Sequence, residues 1–259
     1  MDESGVNRVG QTQVMAGVVL IHGAWHGGWS WMAAADRLRE LGLDVAVVDQ
    51  LPSTRGDAML GLYADAAHVR EVVDQLEHDR VVVVGHSYGA MVLSELAGNN
   101  TISHAFYIAG FAPERGKAVL DLIKGPPPEW VLFSEDGGFS TVDKNMAGHL
   151  MAANAPSPEI AERHVARMVP QAVLATAQPS TISGWGSTPV TYILAEEDEV
   201  IPPELQETMA RAVGARLVRV STPHFPMYSE LDLIVDLIAS AARQSHASVA
   251  SDRRDTSDQ

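Results

Sequence analysis

The stretch Val81-Val82-Val83-Val84-Gly85-His86-Ser87-Tyr88-Gly89-Ala90-Met91 constrains this chain more than any other. Four consecutive β-branched residues make a strand buried on both faces, in a run too short for a helix. Gly85 to Gly89 fits G-x-S-x-G, and Ala90 to Ala97 is rich in helix formers. A strand that runs straight into a helix must turn sharply, which holds the residue at the apex in strained backbone. Side chains in place of Gly85 or Gly89 would collide with the strand and the helix. Ser87 is thereby lifted into a cleft above the sheet edge, at the N-terminus of the helix. The bare pattern also occurs in structural turns. The strand before it and the helix after it favour a nucleophile.

Repeated strand-helix alternation surrounds this elbow. Strands are expected at 18–21, 45–48, 81–84, 104–109, 190–194 and 216–220. Between them lie helices with apolar residues at helical spacing, such as Ala66, Val69, Val72, Val73 and Leu76. Six such strands make an α/β fold, a doubly wound and mainly parallel sheet whose substrates bind at the carboxyl ends of the strands. The alternation breaks over 113–188, where Pro126-Pro127-Pro128, a Gly137-Gly138 turn and short helical patches rich in Met and Ala read as an inserted helical lid. The core is then 15–112 and 189–243, with a disordered leader at 1–14 and a disordered polar tail at 244–259. A length of 259 residues suits one such domain.

Composition narrows the chemistry. Eighteen basic against thirty-three acidic residues give a net charge of −15, which argues against nucleic acid and anionic membrane as partners. With no cysteine, disulfides, thiolate metal sites and cysteine nucleophiles are excluded. No helical His-x-x-x-His pair suggests a zinc or iron site, so no metal is expected. No apolar run approaches the roughly 20 residues of a membrane-spanning helix, and the expected setting is cytoplasmic.

A serine hydroxyl attacks only when a base takes its proton. Of ten histidines, His224 lies in Ser221-Thr222-Pro223-His224-Phe225-Pro226, between the last strand and the last helix, where two prolines stiffen the loop. A carboxylate must orient that imidazole. Asp198, in the turn after the strand 190–194, is the candidate, with Glu197 as runner-up. The chain order Ser87, Asp198, His224 is that of the α/β hydrolases. Charge developing on the carbonyl oxygen needs preorganised donors, for which the backbone N–H groups of Tyr88 and Ala24 stand ready, with Gly23 keeping the loop open.

His22-Gly23-Ala24-Trp25-His26-Gly27-Gly28-Trp29-Ser30-Trp31 resembles the HGxxHGxWxW segment of the plant methylesterase and hydroxynitrile lyase branch of the α/β-hydrolases, shared by small bacterial esterase relatives. The likeness spans Val18 to about Pro113 and Val190 to His224. It implies the same triad and oxyanion groups, no cofactor, and a possible homodimer. By resemblance His26 braces the oxyanion loop; a satisfied core histidine is the other reading, and the same holds for His22. The lyases are similar to one another in having threonine at the position of Gly23, a residue other than histidine at His86, and lysine after the catalytic histidine. Here Gly23, His86 and Phe225 stand there, which disfavours cyanohydrin cleavage.

The lid offers Trp130, Phe133, Phe139, Met146, Met151, Met168 and Trp185, in part for its own small core and in part for the cleft. Trp25, His26, Trp130, Trp185 and Phe225 are the candidate substrate-binding residues, fitting an apolar acyl group. His149 and His164 are expected on lid surfaces. The leading expectation is serine-dependent hydrolysis of a small apolar ester through an acyl-enzyme. The alternatives are a lyase or cyclase using Ser87 and His224 as acid and base, and a low-turnover ligand-binding relative.

Overall fold

The structure, a computed structural model, describes residues 16–123, 125–182 and 184–255, with side chains as far as residue 244. The expected leader, 1–14, lies outside the described residues. β1 (Gly17–Ile21) leads through the HG loop into α1 (Met32–Glu40), and β2 (Asp44–Val47) into α2 (Leu62–Gln75). β3 (Val81–His86) turns into α3 (Tyr88–Ser94), and β4 (Ile102–Ile108) opens the lid. The lid carries α4 (Val119–Leu122), β5 (Val131–Phe133), β6 (Phe139–Val142), α5 (Lys144–Met151), α6 (Pro158–Ala166), β7 (Gln171–Ala172) and α7 (Leu174–Ala177). The core resumes with β8 (Val190–Ala195), α8 (Pro203–Ala212), β9 (Arg216–Val220), α9 (Pro226–Ser229) and α10 (Leu231–Asp255). Among the described residues no helix is long and apolar enough to cross a membrane.

Six strands form one sheet in the order β2-β1-β3-β4-β8-β9, every neighbouring pair parallel. The valine run explains the two layers around it, because successive strand residues face opposite sides. Val81 and Val83 join the cluster that holds Val69, Val73, Met91 and Met209, on the side of α2, α3 and α8. Val82 and Val84 join the cluster of Leu38, Ile234 and Ile238, on the side of α1 and α10. All four are fully buried.

Register then places the chemistry. β1 and β3 pair so that Ile21 lies beside Gly85, which brings His22-Gly23-Ala24 alongside His86-Ser87. This is where strand order reverses, with β2 on one side of β1 and β3 on the other, the place where such sheets form their ligand crevice. At the far side Ala195 pairs with Val220, so the loops holding Asp198 and His224 leave the sheet together.

Two expectations need correction. The lid is not purely helical: β5, β6 and β7 form a three-stranded antiparallel sheet. Gly137, at φ +69°, closes the β5–β6 hairpin, and strands of two to four residues are too short to show a period of two in sequence. The segment after 243 is not wholly disordered either, since α10 continues to Asp255. It contains no glycine or proline, and its Ala, Arg and Gln residues favour continued helix.

The tightest point of the fold is where α3 starts against the end of β1. A Cβ on Gly89 would lie 2.6 Å from the carbonyl oxygen of Ile21 and closer still to that of His22. Backbone cannot yield there without breaking the sheet. Gly89→Ala should therefore destabilise the protein by about 3 kcal/mol or more in urea unfolding. A loss below about 0.5 kcal/mol, the range of inert surface changes, would overturn this account of the elbow.

Candidate active site

Ser87 sits between β3 and α3 with φ +52° and ψ −121°, a conformation that costs a non-glycine residue about 1–3 kcal/mol. The surroundings enforce it. Ser87 N–H donates to Ile108 O, and its carbonyl accepts from the N–H groups of Ala90 and Phe111. Gly85 has no room for a side chain, since a Cβ would come within 2.6 Å of Gly89 O and of Ala90 Cα.

The structure brings Ser87, His224 and Asp198 together. His224 Nε2 lies 3.0 Å from Ser87 Oγ, and His224 Nδ1 lies 2.7 Å from Asp198 Oδ2. Asp198 Oδ1 accepts from the N–H groups of Val200 and Ile201 at 2.8 and 2.9 Å, and Oδ2 also accepts from Gln206 Nε2 at 2.9 Å. The carboxylate thus has fixed donors on both oxygens and is 4% exposed. Its acceptor role places the proton of a neutral His224 on Nδ1 and leaves the Nε2 lone pair toward the serine hydroxyl. Glu197 is exposed, its backbone N–H tied to Thr222 O, so that its side chain points away from the imidazole while the next residue turns inward.

Gln206 escaped the sequence reading, although a polar residue three and four positions before the buried Met209 and Ala210 marks an inward-facing amide. Asp65 was missed in the same way, on the buried face of α2 with Leu62, Ala66 and Val69. It accepts from Ser53 N–H at 2.8 Å, Ser53 Oγ at 2.6 Å and Tyr88 Oη at 2.7 Å, and so anchors the ring of the residue after Ser87. Burial pushes its carboxyl up to about 6, against the opposing pull of these hydrogen bonds.

Three further histidines support the loops. His22 Nδ1–H donates to Gly23 O at 2.9 Å, in the peptide group that carries the Ala24 N–H. His86 Nε2–H donates to the carbonyl of His224 at 2.8 Å and so fixes the backbone of the base. His26 Nδ1–H donates to Ala24 O at 2.5 Å. Burial lowers His22 to about 4 and holds His26 and His86 well below the ordinary range, so all three act as neutral donors.

A cavity of about 350 Å³ opens on Ser87, with Ala24 and Tyr88 in its wall. Trp25, Phe111, Ile123, Trp130, Phe133 and Val173 supply most of the rest, and Ser140 and Thr176 add hydroxyls. None of the described residues lining it carries a charge. Trp25 and Trp130 meet edge to face at 5.8 Å, and Trp25 Nε1–H donates to Ser140 Oγ at 3.2 Å. Tyr88 is the first residue of α3, where backbone N–H groups have no partner within the helix. The arrangement can accept a neutral, apolar molecule with a carbonyl held between Ser87 and the N–H groups of Ala24 and Tyr88.

Three candidate substrate residues do not line this cavity. Phe225 is 1% exposed, stacked on His26 and edge-on to His86, within the core on the α10 side. Trp185 joins the opposite core, where its Nε1–H donates to Tyr107 Oη at 2.7 Å. His26 is turned to Ala24 O and away from the cavity. Aromatic type alone cannot reveal orientation. Of the lid residues, Met151 and Met168 pack in a small lid core with Val142 and Ala147, while Met146 is exposed.

The sequence profile of the alpha/beta hydrolase family matches residues 18–237. The chain belongs to the α/β-hydrolase family. It is 34% identical over 203 residues to the carbendazim hydrolyzing esterase of Nocardioides sp. (strain SG-4G), covering 70% of this chain and 81% of that protein. It is 25% identical over 252 residues to methylesterase 2 of Arabidopsis thaliana, covering 86% and 95% of the two chains. Among solved structures, the pyrethroid hydrolase of Sphingobium faniae JZ-2 superposes with a TM-score of 0.77 at 20% identity, over 88% of this chain and 97% of that one. Polyneuridine aldehyde esterase does so with a TM-score of 0.75 at 23% identity, over 87% and 98%.

The neutral buried histidines give this hydrolase a definite acid response. His22 and His164, each lowered to about 4, stay uncharged in the folded protein while the unfolded chain takes up protons from about 6.5 downward. Each such ring therefore removes about 1.4 kcal/mol of stability per pH unit across that window. Asp65, raised from 3.8 to about 6, acts oppositely: its folded form keeps a proton longer and gains relative stability on acidification. One carboxyl works against five histidines, His26, His86 and His104 included. The melting temperature should fall between pH 6.5 and pH 4.5. A rise over that range would show that the rings are charged in the folded state.

Proposed function

We propose that this hydrolase cleaves a small, uncharged, apolar carboxylic ester through an acyl-enzyme on Ser87. The observation that carries the reading is the hydrogen-bonded line Asp198–His224–Ser87, at 2.7 and 3.0 Å, ending in an aromatic cavity whose described lining residues carry no charge. The names of its relatives, esterases and methylesterases, support the same reaction class.

Ser87 Oγ attacks the ester carbonyl as His224 Nε2 takes its proton, and Asp198 stabilises the imidazolium. The oxyanion faces the N–H groups of Ala24 and Tyr88. His224 then returns the proton to the leaving alkoxide, and the alcohol departs. Water, deprotonated by His224, attacks the acyl-enzyme and releases the acid and Ser87. Trp25 and Trp130 present ring faces and edges to the apolar part of the ester. Cyanohydrin cleavage is disfavoured, because Phe225 follows the base and, among the described residues, none that lines the cavity carries a charge to hold a departing anion. A cytoplasmic setting, and a homodimer where the enzyme self-associates, belong to the same proposal.

Ser87→Ala should lower turnover of a p-nitrophenyl ester by roughly 10⁶-fold, since triad members act as a unit, with the fold retained. A serine-directed phosphonate should label Ser87 stoichiometrically. Substantial turnover in Ser87→Ala would sink the assignment.

The acid can be tested on the same ester. Asp198→Asn should cost about 10⁴ in turnover by favouring the wrong tautomer of His224. Glu197→Gln should cost less than about threefold, as an exposed carboxylate contributes little through water. The reverse pattern would identify Glu197 as the acid.

A further inference from the structure

His164, on α6 of the lid, is 2% exposed, contrary to the lid surface expected for it. Its Nε2 lies 2.8 Å from Nε2 of His26, and its Nδ1 lies 2.8 Å from Tyr228 Oη. The proton positions along this line are fixed by its end. Ala24 O can only accept, so His26 carries its proton on Nδ1 and leaves Nε2 bare. Two bare nitrogens cannot meet at 2.8 Å, so His164 carries its proton on Nε2. Its Nδ1 is then an acceptor, and Tyr228 donates. The line therefore runs Tyr228 O–H to His164, His164 Nε2–H to His26, and His26 Nδ1–H to Ala24 O. Both rings are neutral, as burial lowers His164 to about 4 and His26 well below the ordinary range.

What this line holds is the loop next to Ser87. Ala24 O belongs to the peptide that leads into Trp25, whose φ of +61° is a left-handed, strained conformation for a tryptophan. The lid secures the same loop at two more points, Val169 N–H to Trp25 O at 2.9 Å and Trp25 Nε1–H to Ser140 Oγ. Without a donor at His164, the bare Nε2 of His26 is buried unpaired. The ring is then no longer held from the lid, so it turns out of place and Ala24 O loses its partner.

We propose that His164 is a positioning residue for the ester hydrolysis: from the lid its Nε2–H holds the ring of His26, and through it the Ala24 carbonyl, which flanks the same α-carbon as the N–H that serves as an oxyanion donor. This rests on the esterase reading of the site. The geometry makes lid docking and oxyanion geometry one interaction.

The test is steady-state kinetics on one p-nitrophenyl ester with His164→Phe and His164→Gln, with thermal melting of each. Phenylalanine keeps a ring in the aromatic cluster but has no donor. It should lower kcat by about 10–100-fold, as for a displaced oxyanion donor, and leave KM within about threefold. Glutamine, whose amide N–H reaches the place of Nε2, should recover most of kcat. In 15N spectra of histidine-labelled wild-type protein, His26 should appear as the Nδ1–H tautomer and His164 as the Nε2–H tautomer. Wild-type kcat in a folded His164→Phe variant would overturn the proposal. So would an Nε2–H tautomer of His26, a result that stands even if the variants do not fold. Turnover surviving in Ser87→Ala would instead remove the esterase reading, and this proposal with it, while the spectra still judge the hydrogen-bonded line.

Discussion

The absence of side chains where α3 crosses the end of β1 is the constraint on which the rest of this molecule depends. Gly85 and Gly89 let helix and strand backbones approach to distances no Cβ allows, and Gly110 presses on Ala90 from the third side. The strained Ser87 follows from that closeness, because the chain has only one way to leave β3 and enter α3. Strain of about 1–3 kcal/mol persists because three backbone hydrogen bonds over-determine the turn.

Around that point the lid is attached by buried polar pairs as well as apolar packing. Glu95 of the core accepts from Ser180 Oγ and Thr181 N–H at 2.7 and 2.9 Å. Gln171 of the lid donates to Ser53 Oγ at 3.0 Å, which reaches Asp65 and through it Tyr88. Asn154 donates to the carbonyl of Phe225, the residue after the base, at 3.0 Å. His26 and His164 make the fourth tie. Hydrogen bonds shielded from water are directional and costly to leave unmade, so they define one seating of the lid where apolar contact alone permits many.

The parts of this architecture that were legible in sequence are those that local chain order encodes. The six strands announced themselves as short runs rich in apolar residues, β-branched throughout only at 81–84, and Ser87, Asp198 and His224 as residues one to four positions beyond strand ends, where a doubly wound sheet must converge. The parts that were not legible depend on which way a side chain turns across more than 70 residues of separation. Phe225 and Trp185 have the composition of pocket walls yet point into opposite cores, while Phe111, just past β4, faces the cavity unannounced. His164 looked like a surface residue of an amphipathic helix, since nothing within α6 reveals that its partner is His26, 138 positions earlier. The lid sheet was hidden by the brevity of its strands.

The two apolar layers separated by the valine run carry different halves of the reacting pair. Ser87 is seated by α3, which belongs to the layer of Val81 and Val83, whereas His224 leads into α9 and α10, which belong to the layer of Val82 and Val84. The 3.0 Å gap between Oγ and Nε2 is consequently a gauge of sheet thickness. A methylene added or removed in either layer, at positions such as Met91 or Ile238 that never meet substrate, shifts one reactant relative to the other. Distant packing and turnover are thereby made a single inherited trait.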